Sequence, residues 1–300
     1  MYDVLIIGSG PAGLSAAVYA KRSNLNIIVA EKDYLGTGQI AGSVRVDNYL
    51  GYPGMSGFEL GDRFRQHAEE MRVPFYNGNV CSIRDNGSSW RTCFSEGECV
   101  ESRAIIYAAG TKPRVLNVEG EKKFFGRGIS TCVVCDGPLY KGKTAAVIGG
   151  GDTALDSALY LSDICSRVYL IHWRQDFRGN KAILGMLEKK PNVEILRNLA
   201  VRKICGEERV EVLVLSDGRK LKVDGIFETV GADPRTELLK GTILLDPAGY
   251  VLAGEDGVTS AEGFFVAGDV RKKKLRQVST AVADGANAAF SAMEYLRRFR

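Results

Sequence analysis

Apolar and polar positions along this chain fall into a block pattern that occurs twice. Val4-Leu5-Ile6-Ile7 is an unbroken apolar run, as expected of a strand buried on both faces. A glycine turn follows, Gly8-Ser9-Gly10-Pro11-Ala12-Gly13, then an alanine-rich helix from Leu14 to Arg22 and a strand from Asn26 to Ala30 that ends at Glu31. The same order returns mid-chain: strand Thr144 to Ile148, turn Gly149-Gly150-Gly151-Asp152-Thr153-Ala154, helix Leu155 to Ser162, strand Arg167 to Ile171. Residues 73–107 and 193–230 read as short strands separated by turns such as Asp85-Asn86-Gly87 and Asp217-Gly218. A final helix, Thr280 to Tyr295, follows a loop containing Gly268-Asp269.

This pattern predicts an α/β chain with two Rossmann-like, three-layer dinucleotide-binding domains and inserted β-meanders. Thr111-Lys112-Pro113 and Leu245-Asp246-Pro247-Ala248-Gly249 are the turn-rich stretches expected to act as hinges. They make the first domain discontinuous, residues 1–112 and 246–300, around a middle domain of residues 113–245.

In the first copy Gly8 permits a tight turn, Gly10 lets the backbone approach a pyrophosphate, and Gly13 allows close helix–strand packing. The helix N-terminus then faces the phosphate charge. Glu31, 23 residues after Gly8, can accept hydrogen bonds from ribose hydroxyls. The same count from Gly149 reaches His172, with Arg174 and Arg178 just beyond. A missing carboxylate with guanidinium groups nearby suits a 2′-phosphate, so the second copy reads as an NADP site. One glycine motif is weak evidence; two, each between a strand and a helix, are specific.

The 300 residues, 45% hydrophobic and carrying a net charge of +4, have room for two cores. No long basic run suggests nucleic acid, and no apolar run reaches the roughly 18–20 residues of a spanning helix. The N-terminus runs straight into the first strand without an export leader, which gives the expectation of a cytoplasmic protein with most of its seven cysteines reduced. Cys81, Cys93, Cys99, Cys165 and Cys205 are accordingly expected to be inert thiols. Cys132 and Cys135 form the one C-x-x-C pair. Zinc would need about four ligands, and the only histidines are His67 and His172. A two-residue spacer does let two sulfurs meet, and its turn can lower a thiol pKa. Asp136 follows directly and can exchange a proton with a departing thiolate, or simply cap the turn.

With Gly38-Gln39, Asp47-Asn48-Tyr49, Ala109-Gly110-Thr111, Gly126-Arg127-Gly128, Arg276-Gln277 and Ala283-Asp284-Gly285 added to these motifs, the chain resembles the low-molecular-weight thioredoxin reductases over essentially its whole length. The resemblance implies FAD, with Gly8, Ser9, Gly10, Pro11, Ala12 and Gly13 at the pyrophosphate, Glu31 and Lys32 at the adenosine ribose and the Val80 backbone at adenine. It places Gly38, Gln39, Asn48 and Gly110 near the flavin, Gly268 and Asp269 at the ribityl or pyrophosphate region, and Arg276, Gln277 and Val278 over the isoalloxazine. NADPH would occupy Gly149, Gly150, Gly151, Asp152, Thr153, Arg174 and Arg178. Cys135 would be the flavin-proximal sulfur, Cys132 the thiol that attacks thioredoxin, and Asp136 the acid/base. A homodimer is implied, as is a rotation of the middle domain that brings nicotinamide and dithiol to the flavin in turn.

Two departures matter. The family's His-Arg-Arg-x-x-x-Arg signature reads His172-Trp173-Arg174-Gln175-Asp176-Phe177-Arg178, and losing one charge-assisted contact costs roughly 1.5–3 kcal/mol, about ten- to a hundredfold in affinity, unless Trp173 stacks on adenine instead. The run Arg271-Lys272-Lys273-Lys274 is either a solvated turn or a docking patch for an acidic donor protein, which makes ferredoxin the alternative to NADPH. A small-molecule dithiol oxidase is disfavoured by Asp136, where such relatives often carry histidine, and a non-catalytic redox-sensing flavoprotein is the remaining reading.

Overall fold

The computed structural model describes residues 1–32, 37–43 and 45–299. The chain divides into two compact units, Met1–Lys112 with Asp233–Arg300, and Pro113–Ala232.

The first unit opens with β1 (Tyr2–Ile7), α1 (Pro11–Arg22), β2 (Ile27–Glu31), α2 (Gly57–Glu70), β3 (Phe75–Asn77), β4 (Val80–Asp85), β5 (Trp90–Phe94) and β6 (Cys99–Tyr107). Strands run β3-β2-β1-β6 in parallel, with Leu5 opposite both Ile28 and Ile105. The start of β6 pairs antiparallel with β5, and β5 with β4, which is the expected meander. The unbroken apolar run of β1 is explained by burial on both sides. Val4 and Ile6 pack among the α1 alanines, while Leu5 and Ile7 enter the opposite core with Trp90 and Phe264. Helix α2 starts at a capping box, the Ser56 hydroxyl accepting from the Glu59 N–H while Glu59 accepts from the Ser56 N–H.

The chain leaves through β7 (Thr111–Pro113) and builds the second unit from α3 (Glu121–Phe124), β8 (Ile129–Ser130), α4 (Val133–Asp136), β9 (Thr144–Ile148), α5 (Asp152–Ile164), β10 (Arg167–His172), α6 (Lys181–Leu187) and β11 (Val193–Arg197). The meander β12 (Val201–Cys205), β13 (Val212–Leu215), β14 (Lys220–Lys222) and then β15 (Gly225–Glu228) complete it. Its five-stranded sheet, β11-β10-β9-β15-β8, is parallel throughout. The chain returns through β16 (Ala232–Pro234), adds β17 (Phe264–Val266) alongside β6, and ends in α7 (Val278–Leu296). Helix α7 lies on α1 so closely that a Cβ at Gly285 would sit 2.1 Å from the Ala12 carbonyl oxygen. No helix among the described residues is long and apolar enough to cross a membrane.

The return crossing falls at Ala232/Asp233, not at Leu245–Gly249 as the turn residues suggested. Residues 233–245 belong to the first unit because Leu239 and Ile243 are buried in its core and the Tyr107 hydroxyl donates to the Arg235 carbonyl at 2.7 Å. The Asp246-Pro247-Ala248-Gly249 turn instead closes a bridge between Leu245 and Val251 within that unit. Contrary to the expectation from their spacing, the scattered cysteines are not all thiols. Cys93 and Cys99 stand directly opposite on β5 and β6 and are joined by a disulfide, whereas Cys81, Cys165 and Cys205 are free thiols.

Candidate functional site

In the first unit, the loop after β1 has the backbone the glycines suggested. Gly8 adopts a φ of +103°, and a Cβ there would lie 2.5 Å from the Ala108 carbonyl oxygen. At Gly13 it would lie 1.8 Å from the Gly8 oxygen, so helix and strand meet backbone to backbone. Gly10 differs: its nearest neighbour is the Gly38 Cα at 3.7 Å from the ideal Cβ, leaving the face before α1 clear. Gly10 caps α1 with Pro11 at its first turn and no side-chain cap, the arrangement that suits an outside anion. Ser9 is buried and Ala12 lies against Gly268.

Glu31 closes β2 with its carboxylate accepting from the Ser9 N–H (2.9 Å), the Ser9 hydroxyl (3.0 Å) and the Lys32 N–H (2.8 Å). Val80 starts β4 opposite Phe94. Gln39 donates to the Thr111 carbonyl and hydroxyl oxygens, both at 3.0 Å, next to Gly110. Asn48 donates to the Gln277 side chain at 2.9 Å, and Gln277 caps α7 ahead of Val278. Arg276 lies over the Tyr250 ring at 4.1 Å and donates to the Asp269 carbonyl. The fold thus brings Glu31, Gly38 and Gly268, far apart in sequence, to the Gly8–Gly13 loop.

Asp269 carries the clearest sign of an expected ligand. Its Oδ1 is buried without a properly oriented hydrogen bond, although Lys273 Nζ stands 3.3 Å away. Burial raises its pKa, and Lys273 opposes the rise. A buried acceptor without a well-oriented donor fits the hydroxyl groups of the FAD ribityl chain, which can donate to it. The neighbouring basic run is not a solvated patch. The Arg271 guanidinium pairs with Asp284 at 2.8 Å and Lys273 with Asp284 at 3.0 Å, all three side chains being less than 10% exposed, and only Lys272 and Lys274 face solvent. The sequence hides this network, because Asp284 lies more than ten residues from Arg271 and Lys273, inside an alanine-rich helix.

In the second unit Cys132 and Cys135 form a disulfide, both half-buried. Cys132 occupies the cap position of α4: its Sγ accepts from the Cys135 N–H at 3.2 Å, and its own N–H donates to the Ser130 hydroxyl at 3.0 Å. Buried Val133 anchors the turn and Val134 is exposed. Asp136 is half-buried beside Tyr140, whose phenol is raised chiefly by burial and further by the Asp136 charge.

The second glycine loop borders a cavity of about 370 Å³ lined by Gly149, Gly150, Gly151, Thr153, Trp173 and Arg178, among others. Arg178 is tied to the loop, its N–H donating to the Gly150 carbonyl at 2.8 Å, and the Asn180 N–H donates to Asp152 at 2.8 Å. Arg174 stacks on Trp173 with 4.1 Å from its guanidinium carbon to the ring centre. His172 is buried where a Cβ on Gly150 would strike its ring at 2.3 Å, and burial lowers its pKa. A concave glycine loop with a guanidinium and an aromatic face fits a dinucleotide. The end of β15 holds a group the sequence did not flag: Glu228 is 3% exposed with no donor reaching either oxygen, and burial, together with the charge and hydrogen bond of Glu121, pushes its pKa up to about 8.

Comparison with known proteins agrees with this geometry. The pyridine nucleotide-disulphide oxidoreductase profile matches residues 2–285. Thioredoxin reductase of Mycoplasma genitalium is 37% identical over 295 residues, covering 96% of this chain and 93% of that protein. Its counterpart in Bacillus subtilis is 34% identical over 306 residues, covering 100% and 96%. The crystal structure of thioredoxin reductase from Streptococcus pyogenes superimposes with a TM-score of 0.94 at 35% identity, covering 100% of this chain and 99% of that one. With paired glycine loops, a C-x-x-C disulfide and full-length similarity, the chain belongs to the pyridine nucleotide-disulphide oxidoreductase family, among the thioredoxin reductases.

Proposed function

We propose that this protein is an NADPH-dependent flavoenzyme that reduces the disulfide of thioredoxin through Cys132 and Cys135. The observation that carries the reading is the C-x-x-C disulfide whose first sulfur receives the Cys135 N–H. Bound FAD supplies two-electron redox chemistry between a hydride donor and a disulfide. Gly8, Ser9, Gly10, Pro11, Ala12 and Gly13 hold its pyrophosphate, Glu31 and Lys32 the adenosine ribose, and Asp269 the ribityl region. Gly38, Gln39, Asn48, Gly110, Arg276, Gln277 and Val278 surround the flavin. Gly149, Gly150, Gly151, Asp152, Thr153, Arg174 and Arg178 hold NADPH.

In the dithiol form the Cys135 N–H stabilises a thiolate on Cys132, favouring it as the nucleophile. Cys132 attacks one sulfur of the acceptor disulfide, and the other sulfur leaves and is protonated. Cys135 then attacks Cys132, re-forming the Cys132–Cys135 disulfide and releasing the acceptor as a dithiol. Asp136 carries the proton taken from Cys135 to the departing thiolate. Ferredoxin as donor loses its main support, since Arg271 and Lys273 are spent on internal ion pairs. The family likeness brings a homodimer and a cytoplasmic setting into this proposal, the first checked by light scattering and the second by fractionation. An anaerobic comparison of donors tests the whole: NADPH bleaches the flavin band and oxidised thioredoxin restores it, whereas bleaching by reduced ferredoxin alone overturns the assignment.

A further inference from the structure

The chain carries a second disulfide that the proposed reaction does not use. Cys93 and Cys99 face each other across β5 and β6, with a Cα–Cα distance of 4.0 Å, and Cys99 is exposed. The five residues between them form a hairpin end that grips its neighbours. The Ser95 N–H donates to the Asn79 carbonyl at 2.8 Å, and Asn79 returns a bond to the Ser95 hydroxyl at 3.1 Å. The Tyr76 hydroxyl donates to Glu98 at 2.7 Å, and the Tyr76 ring lies 4.2 Å from the buried ring of Phe94. Gly78 is enclosed by those two rings, and its N–H donates to the Glu31 carbonyl at 2.9 Å. The hairpin end therefore clamps residues 76–80, and through them Glu31, the carboxylate assigned to the adenosine ribose. Cys81, next in sequence, is an exposed thiol whose Sγ donates to the Cys93 carbonyl at 3.3 Å.

We propose that Cys93–Cys99 is a redox-exchangeable site for a dithiol protein, and that opening it loosens the adenosine end of the flavin site. The first half stands on the exposed disulfide alone, whereas the second rests on the flavin placement proposed above. The reductant is the product of the proposed reaction, a reduced thioredoxin-type dithiol. Its thiolate attacks Cys99 Sγ, the Cys93–Cys99 bond breaks, and Cys93 leaves as a thiolate that takes a proton from water. The partner's second thiol closes the partner's own disulfide and frees Cys99 as a thiol. Two electrons and two protons pass to the chain, and the partner is oxidised. A surplus of reduced partner thus acts back on the enzyme.

The test uses the FAD-loaded Cys132→Ser/Cys135→Ser protein, so that only the second disulfide changes state. After incubation with reduced thioredoxin, N-ethylmaleimide trapping and mass spectrometry are expected to show Cys93 and Cys99 labelled together while the far-ultraviolet dichroism is unchanged. Cys81 labels before and after, as an internal control. Flavin release, followed by fluorescence, is expected to speed up by roughly threefold or more once the short loop is no longer closed, and Cys99→Ser in the same background reproduces that rate without reductant. Labelling only after denaturation overturns the exchange, and labelling with unchanged flavin release overturns the clamp. A protein that takes up no FAD overturns the clamp together with the flavin reading, and the labelling pattern then decides the exchange by itself.

Discussion

Glu228 offers a quantitative test of the second unit. Its carboxyl is buried at the end of β15, opposite Ile148 of β9, with no donor reaching either oxygen and the Glu121 carboxylate as the neighbour to which its acid form can donate. Glu121 is itself held by the Leu116 and Val118 N–H groups at 2.8 and 3.2 Å. Folding raises the Glu228 pKa from 4.5 to about 8, so between those values the folded chain keeps a proton that the unfolded chain has lost. Stability contributed by the protonated state is complete below the unfolded pKa and falls as pH rises through this window. The slope is about 1.4 kcal/mol per pH unit, giving an upper limit of roughly 5 kcal/mol by pH 8. Relaxation and water entry reduce this, so about 2–4 kcal/mol is a realistic loss between pH 5 and 8. Glu228→Gln keeps the shape and removes the titration. Because two units need not unfold together, the proper assay is native-state hydrogen exchange of amides in β9 and β15, read from pH 6 to 8.5 with the intrinsic exchange rate corrected. The wild-type protein should lose protection as pH rises while Glu228→Gln stays nearly flat. Equal pH dependence in both proteins would falsify the claim that Glu228 is protonated in the fold.

Two further substitutions probe the cofactor sites. Gly285→Ala drives a methyl group into the Ala12 carbonyl, where backbone cannot yield easily; a loss of about 1–3 kcal/mol and a reduced flavin content are expected, and an unchanged melting temperature would contradict the α1–α7 packing. Trp173→Arg adds a third guanidinium to those of Arg174 and Arg178; it should lower KM for NADPH by about tenfold or more and leave that for NADH unchanged, and an unaltered ratio would remove Trp173 from the 2′-phosphate end.

Much of this architecture was legible because it depends on local chemistry. The runs Val4–Ile7 and Thr144–Ile148, each followed by a glycine turn, announce strands buried on both faces, and both appear as β1 and β9. Cys132 and Cys135 could be paired from their spacing. Features that depend on distant partners were hidden. Leu239 and Ile243 look like any apolar residues in a turn-rich stretch, yet their burial moves the boundary between the units. Arg271 and Lys273 look like a surface run until Asp284 is brought beside them. Cys93 and Cys99 are six residues apart, a spacing without a message until β5 and β6 pair in register. Helix α2 was missed despite its Ser56-x-x-Glu59 box, because its polar face outweighs a thin apolar stripe at Leu60 and Phe64.

The central claim is that electrons reach the acceptor through the Cys132–Cys135 couple and no other route. The most direct measurement follows Cys135→Ser protein under anaerobic conditions, recording the flavin band on adding NADPH and then oxidised thioredoxin. The expected result is a bleached flavin that thioredoxin leaves reduced; reoxidation at the wild-type rate would contradict the route through the two cysteines.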